Sequence, residues 1–345
     1  MISGTRGCSS RGGFAAPLHG GAMRRVLAYV LAASIPAAPV LAQPPDAKAV
    51  SITMEDVTYP HPVKFLEFSI YDEDVRLAYM DVAAEGTPNG RTVVLFHGMN
   101  FFGEYWAGPI DVLRRAGFRV VVPDQIGFGR SSKPVIPYNF HDMARNTKRL
   151  LDALGIARTA IVGHSMGGML AARFATQYPD VVERVVIYNP IGLTDSRFGR
   201  PWTDEEDQYR RVLGQSYASA SAGIRRYFAH DPDAWKPEYE KYVLIHYGWT
   251  LSGDWPRFAR VRARIQQAVY LDPVVHDWQH IRVPTLAIGG AEDGANFGER
   301  MRFLAESIPN GNGRLHLIPG VGHVPHFEAP EKLYPPLLTF LREGR

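Results

Sequence analysis

Beyond residue 62, apolar positions fall into two alternating patterns. Phe65–Ile70 and Val75–Val82 are short strand patterns joined by Asp72-Glu73-Asp74, which predicts a hairpin. Thr92–Phe96 is an unbroken, β-branched run that stops at His97-Gly98, as a strand buried on both faces does. Tyr105–Arg115 is amphipathic and stops at Gly117. Arg119–Val122 reads as a strand, Asn139–Leu154 as a helix, Thr159–Val162 as a strand, Met166–Tyr178 as a helix and Val181–Tyr188 as a strand. Strands and helices joined by short links imply a doubly wound, mostly parallel α/β sheet with helices on both faces. The alternation breaks at Asn189-Pro190, and helical periodicity takes over across residues 194–280, which hold five of the six tryptophans. That segment is predicted to be an inserted helical cap. The sheet pattern resumes at Val283–Ile288, followed by a helix at Phe297–Ser307, a strand at Arg314–Ile318 and a last helix at Pro330–Leu341. The core is therefore expected at residues 63–193 and 281–345, with residues 43–62, rich in proline and polar residues, as an arm or linker.

Composition changes this picture mainly at the N-terminus. The 345 residues are 46% hydrophobic and 21% charged, a globular balance that excludes a disordered chain. The formal net charge is +3, but residues 1–42 hold four arginines, no acid and the one cysteine, Cys8. The other 34 basic and 35 acidic residues leave a net of −1, so charge gives no reason to expect a nucleic-acid partner. From Met23 the chain runs Met-Arg-Arg, an apolar stretch Val26–Val40 and Val40-Leu41-Ala42, a secretory signal pattern with cleavage expected after Ala42. Translation from Met23, or a long basic leader before it, would account for the first 22 residues. The apolar stretch is short for a membrane span, so a periplasmic or secreted protein without stable membrane insertion after cleavage is expected.

The strongest chemical signal is Gly163-His164-Ser165-Met166-Gly167-Gly168, set between a strand and a helix. A sharp turn there needs small neighbours, and it presents Ser165 at the C-terminal edge of the sheet. A serine hydroxyl needs a base. His323, in the glycine-rich loop after the last strand, is the best placed, with His326 as a competitor. Asp293, just after the penultimate strand, is the candidate acid, with Glu292 and Asp195 as competitors. The oxyanion hole is expected from the backbone N–H groups of Met166 and Met99, the latter in the His97-Gly98-Met99-Asn100 loop, with His97 shaping that loop. Asn100, Tyr105 and Trp106 are expected to line the substrate pocket. Neither a metal-ligand cluster nor a nucleotide loop is legible, and no cofactor is expected.

Together with Leu95–Gly98, Pro123–Ser132 and Gly290–Asp293, these segments resemble the α/β-hydrolase superfamily, in particular capped bacterial serine hydrolases. The resemblance implies that Asp124–Ser132 is a structural loop and that Asn189–Leu193 opens the cap. Haloalkane dehalogenases and epoxide hydrolases are similar but need a carboxylate where this chain has Ser165. The expected activity is hydrolysis of a small-molecule carboxylic ester through an acyl-enzyme. The aromatic-rich cap suggests an apolar or aromatic substrate. C–C bond, amide or peracid chemistry with the same triad is one alternative, and a catalytically silent binding module on the same fold is another.

Overall fold

A computed structural model describes residue 44 and residues 47–343; the expected signal segment, 1–42, lies outside the described residues. An eight-stranded sheet runs in the order β1-β2-β4-β3-β5-β6-β7-β8. The strands are β1 (Val63–Ile70), β2 (Glu73–Val82), β3 (Thr92–Phe96), β4 (Arg119–Pro123), β5 (Thr159–His164), β6 (Val182–Tyr188), β7 (Thr285–Gly290) and β8 (Gly313–Ile318). β1 and β2 are antiparallel, β2 meets β4 antiparallel, and every later pair is parallel. The hairpin turn is tighter than its acidic run suggests. Ile70 pairs with Glu73, leaving only Tyr71 and Asp72, both at positive φ (51° and 58°), as a two-residue turn. That conformation matches the twist of the flanking strands.

The helices of the core are α1 (Ala107–Arg115), α2 (Phe140–Ala153) and α3 (Met166–Gln177). Between β6 and β7 come the four helices of the cap, α4 (Glu205–Leu213), α5 (Tyr217–Arg225), α6 (Glu240–Thr250) and α7 (Trp255–Leu271). α8 (Phe297–Ser307), α9 (Pro325–Glu328) and α10 (Pro330–Arg342) complete the core. The central strands are buried end to end, β5 and β7 without an exposed residue, as parallel strands covered on both faces should be. Most cap aromatics serve packing: Trp249, Trp255 and Trp278 are buried, whereas Trp202 is half exposed.

Residues 47–62 are bonded to the rest of the chain. Val50 N–H donates to the Gly248 carbonyl of α6 (3.0 Å), and Trp249 Nε1 donates to the sulfur of the fully buried Met54 (3.2 Å). Tyr59 hydroxyl donates to Asp124 Oδ2 (2.7 Å). Asp124 also accepts from the N–H groups of Gly103 (2.6 Å) and Arg130 (2.7 Å), so its loop is a structural tie.

Candidate active site

Ser165 joins β5 to α3 with φ 57° and ψ −119°, a conformation L-residues adopt only where the surroundings impose it. The sharpness of the turn fixes its neighbours. A Cβ on Gly163 would lie 2.0 Å from the Gly167 carbonyl oxygen, and one on Gly167 would lie 2.2 Å from that of Phe96. Ser165 N–H donates to the Tyr188 carbonyl (3.0 Å), which anchors the turn to β6.

His323 Nδ1 lies 2.9 and 2.8 Å from the two oxygens of Asp293. Donation from Nδ1–H to that carboxylate leaves Nε2 as the basic nitrogen. Four further residues support this pair. Asn189, at φ 37°, donates to Asp293 Oδ2 (2.8 Å) and to the Gly322 carbonyl (3.3 Å), while its Oδ1 accepts from Gly290 N–H (3.1 Å). Glu328 brackets the base, accepting from the N–H groups of Gly322 and Val324 (3.0 Å each). Burial pushes the Glu328 carboxyl above the usual range, against the two backbone bonds that favour its charge. His230 of the cap reaches the same carboxylate at 3.1 Å. Tyr227, also from the cap, stacks its ring on His323 at 4.6 Å and 20°. None of these supporting roles is legible from spacing. Asn189 is visible only as the residue where the sheet pattern stops.

His164 links the loops around the serine. Its Nε2 donates to the His323 carbonyl (2.8 Å), and its Nδ1 accepts from Tyr105 hydroxyl (3.1 Å), which itself accepts from Gly98 N–H (3.1 Å). Burial, then the neighbouring His323 and His326, hold its pKa well below the ordinary histidine value. Met99 N–H donates to nothing among the described residues, and Met166 N–H opens α3, where helix geometry offers no acceptor.

The competitors are placed elsewhere. His326 Nδ1 bonds Tyr188 hydroxyl (2.8 Å) and its ring stacks on Trp106 (5.2 Å). Burial first, then His323, lower its pKa to about 3. Asp195 is bonded to Arg197 and His276, and Glu292 N–H is tied to the Val321 carbonyl. His97 Nε2 accepts from Gln125 N–H (3.1 Å), in keeping with a loop-shaping role.

A cavity of about 1110 Å³ lies between core and cap and is walled in part by Met99, Asn100, Ile191, Asp293 and His323. Ser165, only 5% exposed, is not part of that wall, although Ile191 N–H is bonded to its carbonyl (3.3 Å). Of the three expected pocket residues, only Asn100 lines the cavity. Tyr105 and Trp106 do not: both are fully buried in a tight turn, Gly103–Trp106, where they support the loops from beneath. The lining mixes apolar side chains, Leu193, Trp202 and Phe297 among them, with basic ones. Arg200, Arg211, Arg226, Arg262 and Arg300 all face it, and so does His246, buried on α6. Among the described residues, no cluster of three His, Cys, Asp or Glu side chains is placed to hold a metal ion.

The family defined by the alpha/beta hydrolase fold matches residues 91–330, and the chain belongs to it. It is a hydrolase of that family. A solved structure of a protein described as a probable hydrolytic enzyme from Pseudomonas aeruginosa PAO1 is 35% identical, with a TM-score of 0.81 over 86% of this chain and 99% of that one. A bromoperoxidase from Bacillus anthracis is 25% identical, with a TM-score of 0.66 over 81% and 100%. Among curated relatives, a protein described as a putative carbamate hydrolase, RutD, from Caulobacter sp. (strain K31) is 29% identical over 76% of this chain and 95% of its own length.

Proposed function

We propose that this protein cleaves a carboxylic ester through a covalent acyl-enzyme. The observations that carry the reading are a serine held at φ 57° on the strand-to-helix turn and a histidine whose Nδ1 is fixed by a carboxylate at 2.8 Å. His323 Nε2 takes the Ser165 proton as Oγ attacks the ester carbon. The oxyanion of the tetrahedral intermediate is received by the N–H groups of Met99 and Met166. His323 then gives its proton to the leaving alcohol. Water, deprotonated by the same nitrogen, attacks the acyl-enzyme and releases the acid. Asp293 holds the imidazole in its tautomer and stabilises the imidazolium.

Ser165→Ala should lower kcat by roughly 10⁴-fold or more. Turnover close to that of the parent would defeat the reading, as would failure of a fluorophosphonate probe to label Ser165. Comparing p-nitrophenyl esters with an aminoacyl anilide and a dienoate diketone separates esterolysis from amide and C–C chemistry on the same triad. We also infer that residues 1–42 direct export and are removed after Ala42. N-terminal sequencing of the secreted or periplasmic form should begin at Gln43.

A further inference from the structure

α7 carries Arg257, Arg260, Arg262 and Arg264, and their surroundings differ. Arg260 pairs with Glu206 (2.7 Å) and Arg264 with Glu205 (2.8 Å) of α4. Arg262 instead faces the cavity, is only 9% exposed and has no carboxylate within ion-pair distance among the described residues. Among the described residues its Nε has no hydrogen-bond partner, and its one hydrogen bond runs from Nη2 to Asn100 Oδ1 at 3.3 Å. The rings of Trp249 and Phe258 lie 5.2 and 5.8 Å from the guanidinium.

A buried cation without a counter-ion is costly, and native proteins keep such groups where something else supplies the charge. Nothing nearby among the described residues supplies it. His246 donates Nε2–H to the Asn100 carbonyl (2.9 Å), and burial, then Arg262, hold its pKa at about 3, so it is a neutral neighbour. Arg200, Arg211, Arg226 and Arg300 also line the cavity and form no ion pair among the described residues. The two wall carboxylates are engaged, Asp293 by His323 and Asp195 by Arg197 and His276.

We propose that the substrate carries a free carboxylate in addition to its scissile ester, and that Arg262 binds that carboxylate. A guanidinium fork matches a carboxylate with two parallel bonds, and it keeps its charge at any working pH. The position also limits length. Arg262 is bonded to the side chain of Asn100, the residue after Met99, which puts the bound anion on the same loop as the proposed oxyanion donor. A shared loop points to short half-esters of dicarboxylic acids. The proposal rests on the ester reading for its scissile group, while the anion site itself stands on Arg262.

The test titrates the full chain carrying Ser165→Ala with monomethyl and dimethyl esters of succinate, glutarate and adipate by calorimetry. At least one monoester should bind about tenfold or more tightly than its diester, and adding Arg262→Gln should abolish that preference. Arg262→Lys, which keeps the charge without the fork, should restore part of it. Equal affinities at every length, no monoester binding, or a preference that survives Arg262→Gln overturns the proposal. Hydrolysis of the same pairs with Ser165 intact separates the two readings. A binding preference dependent on Arg262, with neither ester cleaved and no fluorophosphonate label, supports the anion site and defeats the ester mechanism. Cleavage of monoester and diester with equal kcat/KM at every length defeats the anion site and leaves the ester mechanism standing. Far-UV circular dichroism and Tm of the Arg262 variants, expected at or above the parent, exclude misfolding as the cause of lost preference.

Discussion

Two buried arginines, Arg173 on α3 and Arg262 on α7, receive opposite treatment from the fold. Arg173, with its side chain 6% exposed, donates Nε to Asp277 (2.6 Å), Nη1 to Asp272 (2.7 Å) and Nη2 to the Pro273 carbonyl (3.3 Å). Burial alone would lower its pKa, but the bonds to Asp277 and Asp272 more than offset this and raise it. For Arg262 burial dominates, and its pKa falls to about 10. Asp272 also accepts from Phe140 N–H (2.7 Å), so Arg173 fastens the segment leaving the cap to helices of the core. A guanidinium whose donors are matched inside the chain is a fastener, and one whose donors are left over is a receptor for something the chain does not contain.

The contrast is sharpest in stability. Arg173→Met leaves two carboxylates without their cation and should cost about 3 kcal/mol or more by urea denaturation. A loss under about 1 kcal/mol would erase the distinction. Arg262→Met removes an uncompensated charge and should raise stability by about 1–2 kcal/mol, although it removes the carboxylate preference. A comparable loss would show that Arg262 is a fastener too.

His246 offers a probe of the same charge. Its folded pKa of about 3 lies below the ordinary 6.5, as does that of His326, so the unfolded chain binds more protons between these values. Stability should therefore fall as pH drops below about 6.5, by up to about 1.4 kcal/mol per pH unit for each such histidine. In Arg262→Met the NMR titration of His246 should move upward, and an unmoved midpoint would remove Arg262 as a cause. The smallest effect belongs to the outer face of α7. Glu206→Gln breaks the Arg260 pair in a solvated setting and should change stability by no more than about 0.5 kcal/mol.

What the sequence could reveal divides along the same line. The sheet, the helical segment between β6 and β7 and the placement of Ser165, Asp293 and His323 after β5, β7 and β8 are legible because local periodicity marks strand ends, and parallel strands bring those ends to one edge. Asn189, Glu328 and Arg262 are not legible, because their roles depend on which distant group is or is not within reach. Helical spacing shows four arginines between residues 257 and 264 but not which one lacks an acid. Tyr105 and Trp106 were expected at the pocket from their nearness to the oxyanion loop. The tight turn at 103–106 directs them into the core instead, a choice that aromatic character alone does not decide.

The positive φ of Ser165 has a consequence for anyone evolving this protein. Held strain of that kind costs about 1–3 kcal/mol, and glycine adopts the same backbone freely. A library sorted for heat resistance alone would therefore enrich Ser165→Gly, and its most robust members would be inert. Sorting has to couple survival to turnover, or position 165 must be held constant from the first round.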